Sequence, residues 1–278
     1  MIPEILIEED IKEWLKEDIP YWDITTNLLP DKKVKAKIFA KQEGIIAGLT
    51  VAEKIFTLLG AEWNANVQEG QKVSKKQVIA EIKGNIKSLL QGERIALNIL
   101  GRMSGIATTT AQMIEKTRKI NPNLKICATR KTVPGLAKYD KYAVTIGGGD
   151  THRFNLSDMV LLKENHLSLF SSITEAIAKA KETVSFSKKI EVEVKNEEEA
   201  IEAAKAGADI IMLDNFKPIQ AKHVVKKIRE INQNILIELS GNIKIDNIED
   251  FELENVNHIS SGSLTHSVKN FDLSMLIE

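Results

Sequence analysis

The chain has 278 residues and a formal net charge of −1, with 43% hydrophobic and 28% charged residues. That length can bury a sizeable core without staples, and the charge balance gives no reason to expect nucleic acid or an anionic membrane as partner. Cys127 is the single cysteine, which excludes an internal disulfide framework and a thiol-rich metal site. The amino-terminal residues lack the basic-then-apolar pattern of a signal peptide, and no uncharged apolar run approaches the ~18 residues of a membrane span, so a cytoplasmic place is expected.

Taken in chain order, residues 1–96 read as a mixed α/β region. Ile11, Trp14 and Leu15 begin an amphipathic helix, and the alternation of Val34 to Phe39 predicts a strand. A helix is expected over 51–59 and a strand over 78–82. Residues 88–116 are strongly helical, with Gly101 and Gly105 permitting close packing or a bend.

From about residue 120 the rhythm becomes strand, loop, helix. Strands are expected over 124–128, 159–162, 190–194, 209–213 and 235–239. Asn196 caps a helix, with Glu199 three residues on, and Gly207 stops it. Pro218 opens the next helix, whose apolar face is Ala221, Val224, Val225, Ile228 and Ile231. Such alternation implies βαβ units and a parallel sheet, either doubly wound or closed into a barrel. Polar groups at the carboxyl end of successive strands favour the barrel: Thr129-Arg130-Lys131, Lys163, Glu193, Asp214, Glu238 with Ser240, and Ser260-Ser261-Gly262.

Six cations fall in or beside these ends: Arg94, Arg130, Lys131, His152, Arg153 and Lys163. They read either as a solvated basic face or as a site for a strongly anionic ligand, for which arginine's bidentate fork is suited. Glu193 and Asp214 read either as partners of those cations or as groups that hold a divalent metal or ribose hydroxyls. Gly147-Gly148-Gly149 is a tight loop or a weak phosphate-loop signal. Ser240-Gly241-Asn242 and Ser261-Gly262-Ser263, each after a strand, suit a phosphate cradle. Cys127 reads as core. His166, His223 and His258 lack metal-ligand spacing, so a zinc site is not expected.

Several motifs occur together. Ala128-Thr129-Arg130-Lys131-Thr132-Val133-Pro134-Gly135 precedes Lys141-Tyr142-Ala143-Val144, then Gly147-Gly148-Gly149, His152-Arg153 and Leu162-Lys163-Glu164-Asn165-His166. Asp23-Ile24-Thr25-Thr26, Glu93-Arg94, Glu191-Val192-Glu193-Val194, Leu213-Asp214-Asn215-Phe216 and Leu264-Thr265-His266-Ser267 complete the order. Over nearly the whole chain this pattern resembles the quinolinate phosphoribosyltransferases.

The resemblance implies an α/β fold of two domains. An amino-terminal mixed α/β sandwich takes residues 1–96, with the tail 267–278 returning to it. An incomplete, seven-stranded α/β barrel takes residues 97–266. It implies transfer of phosphoribosyl from phosphoribosyl pyrophosphate to quinolinate, with Mg²⁺, releasing nicotinate mononucleotide, pyrophosphate and CO₂. It implies a homodimer or an assembly of dimers, with sites at the interface. Substrate contacts fall to Thr129, Arg130, Lys131, His152, Arg153 and Lys163, with Arg94 reaching in from the neighbouring subunit. Glu193 and Asp214 hold ribose hydroxyls directly or through Mg²⁺, and with Lys131 and Lys163 form the catalytic set. Ser240, Gly241, Asn242, Ser261, Gly262 and Ser263 cradle the 5′-phosphate.

Three residues depart from the family pattern: Ala128 before Thr-Arg-Lys, Trp22 in place of a glycine, and Asn242 in place of the second glycine of Ser-Gly-Gly. The alanine is shared with a sister group, the pyrophosphorylase-like proteins of molybdate-transport operons. Nicotinate phosphoribosyltransferase is a further relative, whose monocarboxylate substrate does not need the full cation set.

Overall fold

The structure, a computed structural model, describes residues 2–251 and 254–278; Met1 of the amino-terminal segment lies outside the described residues. Helix α1 (Glu4–Asp18) buries Ile7 and Ile11 on one face. Strands β1 (Lys33–Ala40) and β2 (Gly44–Ile45) lead to helix α2 (Leu49–Leu58). Strands β3 (Glu62–Ala65), β4 (Lys72–Val73) and β5 (Val78–Asn85) precede the long helix α3 (Ile86–Arg118). The alternation read in β1 has its physical cause here: Ala36, Ile38 and Ala40 are buried while Lys37 and Phe39 between them are only partly so.

After α3 come β6 (Lys125–Cys127), α4 (Ala137–Ile146), β7 (Val160–Leu162), α5 (Glu164–Leu167) and α6 (Ile173–Thr183). The chain continues through β8 (Ile190–Val194), α7 (Glu197–Ala206), β9 (Ile210–Asp214), α8 (Pro218–Ile231) and β10 (Leu236–Ser240). It ends with β11 (His258–Ser260), α9 (Ser263–His266) and β12 (Leu273–Ile277). Among the described residues no helix is long and apolar enough to cross a membrane.

Two compact units emerge. The first comprises Met1–Ala111, Pro134–Gly148 and Ser267–Glu278, the second Gln112–Val133 and Gly149–His266. The division falls inside α3 and not at residue 96, because one continuous helix offers no change of pattern for a boundary to follow. Residues 134–148 also count with the first unit.

In the first unit an antiparallel sheet runs β12-β1-β5-β3. The final strand was not legible from its own residues, but its partner β1 sets its place: Ile38 pairs with Met275. Gly101 and Gly105 let the tail lie close to α3. Phe271 N–H donates to the Gly101 carbonyl at 2.8 Å, and a Cβ at Gly105 would stand 2.3 Å from the Lys269 carbonyl oxygen. Gly147 closes α4, where a Cβ would meet the Ala107 carbonyl oxygen at 2.4 Å. Packing accounts for that glycine without a phosphate.

The second unit holds one parallel sheet, β6-β11-β10-β9-β8-β7. Strand β9 is a continuous apolar run, as a parallel strand covered on both faces requires; Ile210 through Leu213 are all buried. Among the described residues the barrel has six strands and not seven. Beyond β6 the only further pairing is a single parallel bridge from Cys127 to Asp150. The preceding glycines and the left-handed backbone of His152 (φ 51°) prevent a longer strand there.

Local signals shape the helices on the outside. The Asn196 side chain accepts the Glu199 N–H at 2.9 Å. The returning arm of the capping box lands one residue early, because the Glu199 carboxylate takes the Lys195 N–H. Gly207 ends α7 at φ 78°. The face of α8 buries Ala221, Val224, Val225 and Ile228, but Ile231, at its last residue, is exposed.

Candidate active site

The carboxyl ends of the barrel strands surround a cavity of about 590 Å³. Thr129, Arg130 and Lys131 follow β6, and His152 and Arg153 come from the next segment. Lys163 follows β7, Glu193 lies in β8, and Asp214 ends β9. Ser240, Gly241 and Asn242 close β10, and Ser260 ends β11. Strand register produces this ring: Ser240 pairs with Asp214, and both Glu193 and Glu238 pair with Met212. Polar residues from separate strands therefore share a level.

The electrostatics mix signs. Lys163 Nζ lies 2.6 Å from Glu193 Oε2, half in solvent. Arg153 is partly buried; burial, and then the Arg130 charge beside it, lower its pKa. Two guanidiniums lining one cavity suit an anionic ligand. Lys131 is fixed by its main chain. Its N–H reaches Thr129 Oγ1 at 3.1 Å, and its carbonyl accepts from Thr265 Oγ1 at 2.8 Å.

The β9 and β10 ends are locked by a residue not singled out from sequence. Asn215 has φ 58° and lines the cavity. Its N–H donates to the Ser240 carbonyl at 2.9 Å, its amide to Asp214 Oδ2 at 2.7 Å, and its Oδ1 accepts from Asn242 Nδ2 at 3.2 Å. The available signal was its place after the strand-end aspartate, since asparagine tolerates the left-handed region. The same property explains Asn242, at φ 55°, where the family pattern has glycine.

His152 reaches inward. Its Nε2 lies 3.1 Å from Glu238 Oε2 and 3.3 Å from Glu191 Oε2. Burial disfavours charge on the ring while the two carboxylates favour it, so the pull toward an added proton belongs to the cluster as a whole. Burial raises the pKa of Glu191. A second ring proton would have to sit on Nδ1, which already accepts the Arg153 N–H at 2.8 Å. The cluster's extra proton therefore belongs on the carboxyl side. Sequence reading placed Glu238 at a strand end and Glu191 in a motif, but gave neither a role, because an acid inside an apolar strand does not reveal which side chain it will meet.

Other expected residues lie elsewhere. Ser261, Gly262 and Ser263 do not line the cavity: Ser261 is buried, donates to the Ile243 carbonyl at 2.7 Å and lies 2.8 Å from Ser263 Oγ. Gly262 leaves room for the Lys131 stem, whose Cδ would stand 2.9 Å from a Cβ there. Arg94 belongs to the first unit, where it lines a separate cavity with Glu17, Asp18 and Asn98. Ala128 is fully buried and Trp22 is exposed. Cys127 is buried, and burial raises its thiol pKa well above the ordinary value, as expected of a core thiol.

A parallel α/β barrel with cations, carboxylates and Ser-Gly turns at its strand ends defines an enzyme acting on phosphorylated, carboxylate-bearing small molecules. Residues 23–104 and 106–276 match the sequence profiles of the quinolinate phosphoribosyl transferase N-terminal and C-terminal domains. The chain belongs to the quinolinate phosphoribosyltransferase family. It is 45% identical over 271 residues to a probable nicotinate-nucleotide pyrophosphorylase [carboxylating] of Methanocaldococcus jannaschii, covering 95% of each chain. It is 43% identical over 261 residues to the same-named protein of Archaeoglobus fulgidus, covering 93% of this chain and 99% of the other. The crystal structure of NadC from Streptococcus pyogenes superposes with a TM-score of 0.93 at 40% identity, covering 100% of this chain and 98% of that one.

Proposed function

We propose that this chain transfers phosphoribosyl from phosphoribosyl pyrophosphate to quinolinate, with decarboxylation, giving nicotinate mononucleotide, pyrophosphate and CO₂ in de novo NAD biosynthesis. The observation that carries the reading is the gathering of Arg130, Lys131, Arg153 and Lys163 with Glu193 and Asp214 in one cavity. A dicarboxylate and a pyrophosphate together demand more positive charge than a monocarboxylate would.

In this reading Arg130 and Arg153 grip the quinolinate carboxylates, with Thr129 and His152 beside them. Lys131 and Lys163 serve carboxylate, phosphate and pyrophosphate. Glu193 and Asp214 bind the ribose hydroxyls and stabilise positive charge as it develops at C1 of the ribose. Ser240, Gly241 and Asn242 receive the 5′-phosphate, with Ser261, Gly262 and Ser263 backing the turn. Attack of the ring nitrogen on C1 comes first, as the C1–oxygen bond breaks and pyrophosphate leaves with its electron pair. The resulting pyridinium then accepts the electron pair left at its carbon when CO₂ departs, and that carbon takes up a proton. Catalysis is thus chiefly positioning and electrostatics.

Glu193 and Asp214 offer hard carboxylate oxygens of the kind Mg²⁺ accepts, and Mg²⁺ generally keeps phosphate oxygens and water as its other ligands. Bound there with the pyrophosphate, the ion would neutralise charge on the leaving group. We further propose assembly as a homodimer, or an assembly of dimers, in which Arg94 from a second copy completes the cation set. The substrates are small soluble metabolites, which suits a cytoplasmic place.

Calorimetric titration with quinolinate tests the site. Arg130→Ala should weaken binding by ~1.5–3 kcal/mol, the usual value of a charge-assisted hydrogen bond. Unchanged affinity would contradict the assignment.

A further inference from the structure

Within the barrel two acids occupy positions where apolar filling is the rule. Glu191 is 0% exposed and Glu238 1%. Glu191 Oε1 and Oε2, Glu238 Oε1 and the neighbouring Ser260 Oγ are buried without a hydrogen-bond partner. Unpaired buried acceptors destabilise a fold, and apolar residues of similar volume commonly stabilise it. Stability therefore gives no reason for these residues to be acids.

Their geometry gives one. A single ring nitrogen, His152 Nε2, faces both carboxylates at 3.1 and 3.3 Å. The opposite nitrogen, Nδ1, accepts the Arg153 N–H at 2.8 Å. Asp150 Oδ1 holds the His152 N–H at 2.8 Å, and the residue sits at φ 51°, a conformation uncommon outside glycine. Both ring nitrogens are thus taken up within the chain.

His152, Glu191 and Glu238 lie close enough together to suggest a metal centre. The donor opposite Nδ1 argues against it. With Nδ1 carrying the lone pair, Nε2 carries the proton, whereas a metal needs the Nε2 lone pair and an acceptor opposite Nδ1.

We propose that Glu191 and Glu238 are positioning residues for the reaction. Glu238 accepts the Nε2–H of His152 while the Glu191 carboxyl stands on the same side at 3.3 Å; together they fix the tautomer, and through Nδ1 they set the main chain from which the Arg153 guanidinium reaches the anion. His152 then acts on the substrate through Arg153 and not as an ionic ligand. The effect on quinolinate rests on the function proposed above; the tautomer does not.

Two measurements test this. Glu238→Leu should raise KM for quinolinate about tenfold or more, leave KM for phosphoribosyl pyrophosphate within about twofold, and leave the thermal midpoint no lower. Glu238→Gln keeps an acceptor for Nε2–H and should restore most of the loss. An unchanged quinolinate KM, or an equal rise in both constants, would overturn the proposal. On the wild-type protein, ¹⁵N-histidine spectra resolve the five histidines, with His152 assigned by its loss in His152→Gln. One pyridine-like and one pyrrole-like nitrogen is expected; two pyrrole-like nitrogens would overturn the bracket. That spectrum needs no turnover, so it stands whether or not quinolinate is the substrate, and whether or not the leucine variant folds.

Discussion

Gly241 has little freedom to change. It sits at φ 92°, and a Cβ there would lie 2.4 Å from Asn215 Oδ1 and 2.6 Å from the Asn215 nitrogen. Neither obstacle can move, because Asn215 is tied to Asp214, Ser240 and Asn242. Gly241→Ala should therefore cost ~1–3 kcal/mol of stability and displace the turn that receives the phosphate. Denaturant unfolding and KM for phosphoribosyl pyrophosphate would show it; wild-type values for both would refute the packing argument. Sequence spoke clearly at this scale where chemistry follows residue type. Arg130, Lys131, Arg153, Lys163, Glu193 and Asp214 were all legible, and all line one cavity. Glu191 and Asn215 were not given a role, because theirs depends on neighbours distant in the chain.

At the scale of elements the punctuation was readable and the extent less so. The cap at Asn196 and the stop at Gly207 lie where the sequence puts them. Removing the cap with Asn196→Ala should destabilise the second unit by ~1 kcal/mol, measured by chemical denaturation, with loss no larger than a few tenths counting against the cap. Short strands escaped notice because two residues carry no periodicity, as with Gly44–Ile45 and Lys72–Val73. The missing seventh strand has a different cause. Glycines and a left-handed histidine reduce it to the Cys127–Asp150 bridge, a backbone property that hydrophobic pattern does not report.

For the whole molecule, the domain pattern was legible as a change of rhythm, but its boundary was hidden inside α3. Arg94 raises the larger question. It lines a cavity of the first unit with Glu17, Asp18 and Asn98, apart from the cations at the strand ends. If sites are completed by a second copy, mixing Arg94→Ala chains with Lys163→Ala chains should restore part of the activity that each lacks alone. Mixtures as inactive as their parents would mean that Arg94 and Lys163 of different copies do not meet in one site.

The central claim is that this cavity serves a dicarboxylate. Purified protein with Mg²⁺ and phosphoribosyl pyrophosphate, offered quinolinate or nicotinate, gives the most direct test. Nicotinate mononucleotide and CO₂ should form from quinolinate alone. Turnover of nicotinate instead, or no turnover of quinolinate by folded protein, would contradict the account and turn attention first to the buried Ala128.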